Sequence, residues 1–150
     1  MPLIIIIAVL TLDQATKFLI QNELVLGESI SVVKNIFHLT LVYNTGIAFG
    51  LGKGQTTFFI ILSLAAVILL VYSLARKKSF GFGGYVLTRI NLAFILGGAL
   101  GNLIDRLRLG YVVDFLDFRV WPVFNVADSA ITVAAIMLCA QIVFGKKKPK

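Results

Sequence analysis

The sequence is short of the side chains on which most soluble enzymes depend. It has one cysteine, Cys139, and one histidine, His38. A lone cysteine rules out an internal disulfide, and a lone histidine is too little for a zinc site or a serine triad. Charged residues are 14% of the 150 positions against 59% hydrophobic ones, and mean hydropathy is +0.96. A water-soluble domain of this size could hardly sustain that balance, so the chain is assigned to a bilayer. Carboxylates number only seven: Asp13, Glu23, Glu28, Asp105, Asp114, Asp117 and Asp128.

What is abundant is long apolar sequence. A span needs roughly 20 apolar residues. Four segments qualify: about Leu3 to Ile20, Thr56 to Ala75, Val86 to Ile104 and Val126 to Phe144. The loops between them are short, so one membrane-embedded domain over residues 1–150 is expected. The first segment lacks a basic leading region and a small-residue cleavage site, and it carries Asp13 and Lys17, so it reads as a retained helix.

The formal charge of +7 does not point to nucleic acid. The basic residues cluster as Arg76-Lys77-Lys78 and Lys146-Lys147-Lys148-Lys150, each just after an apolar run, which is the pattern of anchoring beside membrane lipids. Both clusters follow even-numbered spans, so the positive-inside rule puts the Arg76 to Tyr85 loop and both termini in the cytoplasm. Loops Gln21 to Gln55 and Asp105 to Asn125 then face outward, with Lys34, Lys53, Arg106, Arg108 and Arg119 scattered over them.

In the first outer loop, Phe37, Leu39, Leu41 and Tyr43 alternate with His38, Thr40 and Val42, which predicts a half-buried strand in a small sheet lying on the membrane. His38 falls on its polar side as a solvated or hydrogen-bonded residue. Gly97 and Gly101 form a small-xxx-small pair that lets another helix approach the third span. Glu23 and Glu28 sit among turn formers and read as solvated.

The other carboxylates lie within or beside spans, where a charge costs at least roughly 2.5 to 3.5 kcal/mol at the helix centre. Asp13 and Lys17 stand four apart, one helical turn, and can pair; that spacing suits a structural ion pair as well as a functional one. Asn102 and Arg106 repeat the interval with Asp105 beside them, a cluster equally suited to bracing a loop and to binding substrate. Asp114 reads as part of the short loop feeding the last span, and Asp128 lies about 5 Å inside that span. Two carboxylates brought together cannot both ionise cheaply, so they share a proton, which suits peptide hydrolysis. Taken alone, Asp128 reads rather as an N-terminal helix acid facing the dipole.

Five motifs then occur in order: Asp13-Gln14-Ala15-Thr16-Lys17, Asn44-Thr45-Gly46-Ile47-Ala48-Phe49-Gly50, Gly97 through Arg106, Gly110-Tyr111-Val112-Val113-Asp114-Phe115, and Phe124 through Ile131. Together, among four spans, they resemble lipoprotein signal peptidase, or signal peptidase II. The resemblance implies an all-α integral membrane fold of four transmembrane helices with a small extracytoplasmic β-sheet cradle and cap. It implies an aspartic endopeptidase that uses no metal or cofactor and cuts diacylglyceryl-modified prolipoproteins immediately before the lipidated cysteine. Asp114 and Asp128 match the catalytic positions. Asn44, Gly46, Asn102, Arg106 and Asn125 match positions lining the site, and Asp13 and Lys17 positions near it. The Phe37 to Tyr43 segment would form the cradle and the residues after Gly46 a mobile cap. The expected setting is the bacterial inner membrane, as a monomer, with the site near the outer leaflet.

Two other classes fit less well. A transporter or channel needs polar residues through the full membrane depth, whereas the second span is nearly featureless and the cytoplasmic half of the last carries only Cys139 and Gln141. A helix-packing scaffold explains Gly97 and Gly101 but not the aspartates. Asp114 and Asp117 are three residues apart, so on an extended segment they point to opposite faces and only one can meet Asp128. The resemblance selects Asp114, leaving Asp117 as a loop residue near the headgroups.

Overall fold

The computed structural model describes residues 1–46, 55–76 and 84–144. Their order is α1 (Pro2–Glu23), β1 (Ser29–Val33), β2 (Phe37–Asn44), α2 (Thr56–Ala75), α3 (Tyr85–Leu109), β3 (Val112–Asp117) and α4 (Val126–Phe144). All four helices are long and apolar enough to cross a membrane. The expected cap, and the linker from Gly50 apart from Gln55, lie outside the described residues.

α3 is the central helix and packs against each of the others. Between helices in lipid there is little hydrophobic drive, so close packing depends on small residues. A Cβ added at Gly97 would meet Val9 Cβ at 2.9 Å, and one at Gly98 would meet the Ala127 carbonyl oxygen at 2.5 Å. Gly101 abuts the Asp13 carboxylate. The expected small-residue pair therefore admits α1, and Gly98, not singled out from the sequence, admits α4. An apolar cluster of Leu74, Leu92 and Leu96, with Ile6 and Leu138 against it, draws on all four helices.

Three helix ends have a clear local cause. Pro2 sits in the first turn of α1, where its missing N–H costs nothing. α3 runs five residues past the expected Ile104 and stops at Gly110, whose φ of 81° makes a left-handed cap. α4 opens with reciprocal bonds: Asn125 Oδ1 accepts the Asp128 N–H (2.9 Å), and Asp128 Oδ2 accepts the Asn125 N–H (3.4 Å).

The three strands form an antiparallel sheet in the order β1-β2-β3. The β1–β2 turn uses Asn35 at φ 61°, a conformation asparagine tolerates better than most residues. The expected strand is β2, but its burial does not alternate: Leu41 is buried and its neighbours are half-buried. Leu41 packs with Leu24 and Val113 in a second apolar cluster that seats the sheet on the end of α1. His38 is hydrogen-bonded, its Nδ1 lying 2.6 Å from Arg119 Nη2. Two expectations are corrected. Asp114 and Asp117 lie on β3 rather than in a loop, because Val112 to Asp117 pairs along β2, and Asp117 is buried under Thr40 and Arg119.

Candidate active site

One turn of α1 directs its charges inward: of its residues only Val9, Asp13 and Lys17 are buried. Lys17 is 2% exposed, and all three of its N–H groups are used. Its Nζ meets Asp13 Oδ2 at 2.9 Å, Asp105 Oδ2 at 2.8 Å and Asn102 Oδ1 at 2.9 Å. A buried ammonium persists only when paired and fully bonded in this way. Asp13 also reaches α4, its Oδ1 accepting the Ala127 N–H at 2.9 Å. Asp105 reaches β3, its Oδ2 accepting the Val113 N–H at 3.1 Å while Oδ1 accepts Gln14 Nε2 at 2.9 Å. The cluster expected beside Asn102 and Arg106 thus braces the strand carrying Asp114. Gln14, close by in sequence, joins it.

This network sets two amides. Lysine only donates, so the Asn102 oxygen must face Lys17, and its NH2 is left to donate to Asp128 Oδ1 at 2.7 Å. Asn125 is fixed likewise. Its oxygen accepts the Asp128 backbone N–H, so Nδ2 donates to Asp114 Oδ1 at 2.6 Å, with the Asn102 oxygen and Val113 carbonyl also in reach. The other Asp114 oxygen accepts Asn44 Nδ2 at 2.9 Å, and Asn44 Oδ1 accepts the Gly46 N–H at 3.0 Å.

Asp114 and Asp128 both line one cavity of about 540 Å³, together with Asn44, Gly46, Asn102 and Arg106. Asn125 is fully buried behind the pair. Arg106 does not fork onto a carboxylate. It donates to the Gly46 carbonyl (3.3 Å) and to the Asn102 carbonyl of its own helix (3.4 Å), with its guanidinium 5.8 Å from the centre of the Phe59 ring. Of the nine residues expected at or near the site, six line the cavity directly. Asn125, Asp13 and Lys17 stand behind it as supports. Sequence reasoning missed the aromatic wall of Phe118, Trp121 and Phe124, and Ser129 and Thr132 on α4. The wall residues carry no polar signal; Ser129 and Thr132 show only as hydroxyls one residue and one turn beyond Asp128.

The two aspartates of β3 differ electrostatically as well as in direction. The Asp114 carboxyl is pushed up to about 7, chiefly by burial and then by the negative charge of Asp128, against the pull of Asn44, Asn125 and Lys17. At Asp117 burial also favours the neutral acid. There it is outweighed by the Thr40 hydroxyl, the Arg119 backbone N–H and the Arg119 charge, which hold that carboxyl below its ordinary value. One aspartate is tuned to keep a proton near neutral pH, the other to lose it.

With this geometry in view, a family profile described as signal peptidase (SPase) II matches residues 5–144. The chain belongs to the signal peptidase II family. It is 48% identical over 145 residues to a lipoprotein signal peptidase of Caldanaerobacter subterraneus subsp. tengcongensis, covering 96% of this chain and 97% of that one. To that of Halothermothrix orenii it is 45% identical over 139 residues, 92% of each chain. A bacterial membrane enzyme solved by the in meso method at 2.3 Å resolution superposes with a TM-score of 0.83 at 31% identity, over 99% of this chain and 94% of that one. Family and apolar helices together make this a multi-pass bacterial membrane protein of the peptidase class.

Proposed function

We propose that this chain is an intramembrane aspartic endopeptidase that removes signal peptides from diacylglyceryl-modified prolipoproteins, cutting before the lipidated cysteine. The observation that carries the reading is the pairing of Asp114 and Asp128 on one cavity, with Asp114 poised to hold a proton near pH 7. Family membership supports the substrate class.

The proposed chemistry uses the pair as one unit with one proton. Asp128, accepting N–H bonds from Asn102 and the Asn125 backbone, carries the negative charge and takes a proton from water. Asp114 gives its proton to the scissile carbonyl oxygen as the water oxygen bonds to carbon, forming a tetrahedral diol. Collapse breaks the C–N bond, the amine leaves with the proton Asp128 took up, and a diol hydroxyl returns one to Asp114. Asn44, Asn102 and Asn125 keep the two carboxyls oriented. Gly46 and Arg106 line the approach, and Asp13 and Lys17 hold the frame.

The setting follows from the substrate. A peptide with two acyl chains does not readily leave the bilayer, so the dyad has to meet the bond at headgroup level. In this reading the chain is a single membrane-embedded peptidase unit, a monomer in the cytoplasmic membrane, with both termini in the cytoplasm and the site near the outer leaflet.

The test is cleavage by purified protein of a lipidated prolipoprotein and of the same precursor without lipid. The reading expects cleavage before the cysteine in the lipidated form alone. No cleavage, or equal cleavage of both, contradicts it. Reporter fusions after Lys78 and after Lys150 should both report the cytoplasm; an extracytoplasmic signal at either would reverse the orientation.

A further inference from the structure

The chain between β3 and α4 forms one side of the cavity through Phe118, Trp121, Pro122, Val123 and Phe124. Its two ends are clasped: the backbone of Leu116 bonds to that of Phe124 in both directions, at 2.7 and 3.1 Å, and Phe118 packs on Phe37 with ring centres 4.9 Å apart. At the tip, Val120 is 91% exposed. What turns the tip is Arg119, at φ 64°, with the Val120 N–H reaching back to the Phe118 carbonyl at 2.7 Å. An arginine has no steric reason to prefer that conformation, and an uncommon backbone conformation of this kind calls for a compensating contact.

The side chain supplies the contact. The Arg119 guanidinium reaches one residue on each strand of the sheet. Its Nη2 lies 2.8 Å from Ser29 Oγ on β1 and 2.6 Å from His38 Nδ1 on β2, and its Nε is 3.6 Å from Asp117 Oδ2 on β3. The Arg119 backbone N–H also donates to Asp117 Oδ1 at 2.8 Å. Arginine only donates, so the facing His38 nitrogen accepts. The acceptors are themselves linked, Thr40 bonding to both Ser29 and Asp117 at 2.8 and 2.7 Å. One planar, multi-donor group therefore ties the loop to the whole sheet, a geometry lysine's single ammonium does not reproduce.

We infer that Arg119 is a positioning residue: its clamp on the sheet holds the β3–α4 loop as the wall of the cavity against which substrate binds. The inference rests on the peptidase reading above and extends it to a residue outside the cavity lining. Loss of the clamp removes the wall's side-chain tie to the sheet but leaves Asp114, Asp128 and their amides in place, so it weakens substrate binding without altering the chemical step.

Glycine accepts the positive φ, so the variant removes the clamp without steric strain at that residue, and lysine, which keeps a side chain and a charge, controls for the added backbone freedom. Trp121 is the sole tryptophan, so its fluorescence reports this loop without reference to activity. For folded, purified Arg119→Gly we expect Trp121 anisotropy to fall and KM for lipidated precursor to rise about tenfold, with kcat within about a factor of two. Arg119→Lys should rescue neither. Unchanged KM in Arg119→Gly overturns the inference, whatever the fluorescence shows, and so does rescue by lysine or an equal loss in kcat. If the wild-type protein cleaves nothing, the peptidase reading fails separately, and unchanged Trp121 anisotropy in Arg119→Gly then overturns the clamp on its own.

Discussion

Asn125 donates a 2.6 Å hydrogen bond to Asp114 Oδ1 from the same side chain whose oxygen caps α4 by accepting the Asp128 backbone N–H. The cap fixes which way the amide points. The start of a membrane helix and the orientation of the carboxyl pair are therefore a single structural event. The same holds one layer back, where Lys17 fixes Asn102, and Asn102 donates to Asp128.

The first prediction concerns pH. Burial, and then the charge of Asp128, push the Asp114 carboxyl up to about 7, well above the usual carboxylate range. As pH rises through 7 the pair loses its shared proton, so kcat/KM should fall about tenfold per unit beyond that point. A carboxyl whose folded pKa is raised keeps a proton that the unfolded chain has released, so stability drops between about pH 4 and 7 and is flat above. Asp114→Asn should lose that stability slope. A profile of kcat/KM flat to pH 9 would contradict the assignment.

Lys17→Met removes the only cation among the described residues that touches both Asp13 and Asp105. Breaking a buried charge cluster by deleting one partner costs about 3–5 kcal/mol. Thermal unfolding in detergent should show a midpoint lower by many degrees, and Asn102, freed to flip, should release Asp128. An unchanged midpoint would mean the cluster does not brace the bundle.

Asn91 on α3 is fully buried, and neither polar atom of its amide has a partner among the described residues. Leaving such a group unsatisfied costs about 1–3 kcal/mol. Asn91→Leu, of similar shape, should raise the unfolding midpoint and leave cleavage unchanged. A lower midpoint would mean that the amide is bonded in the folded protein.

Much of this was legible in the sequence, for identifiable reasons. The spans announce themselves as continuous apolar runs, and Asp13 and Lys17 are visible as a pair because one helical turn separates them. β3 was not legible. Val112 to Phe115 is buried on both faces, so no alternation marks it as a strand. β1 was missed for the opposite reason: all its residues are exposed, and it exists as the partner of β2. The reach of Arg119 to Ser29 and His38 joins residues far apart in the chain, and the bond from Val113 to Asp105 depends on the turn at Gly110; neither follows from periodicity along one element.

The central claim is that Asp114 and Asp128, and not Asp117, carry out the cleavage. It is tested most directly by the turnover of lipidated precursor by purified Asp114→Asn, Asp117→Asn and Asp128→Asn, each checked for folding and substrate binding. An amide keeps the shape of a carboxyl but does not cycle its proton. Asp114→Asn and Asp128→Asn should each bind precursor and lose nearly all cleavage, while Asp117→Asn, which weakens the sheet network and the Arg119 clamp but leaves the pair in place, should retain substantial turnover at saturating precursor. An active Asp114→Asn beside an inactive Asp117→Asn would reassign the pair, and turnover surviving in Asp128→Asn would contradict the aspartic mechanism itself.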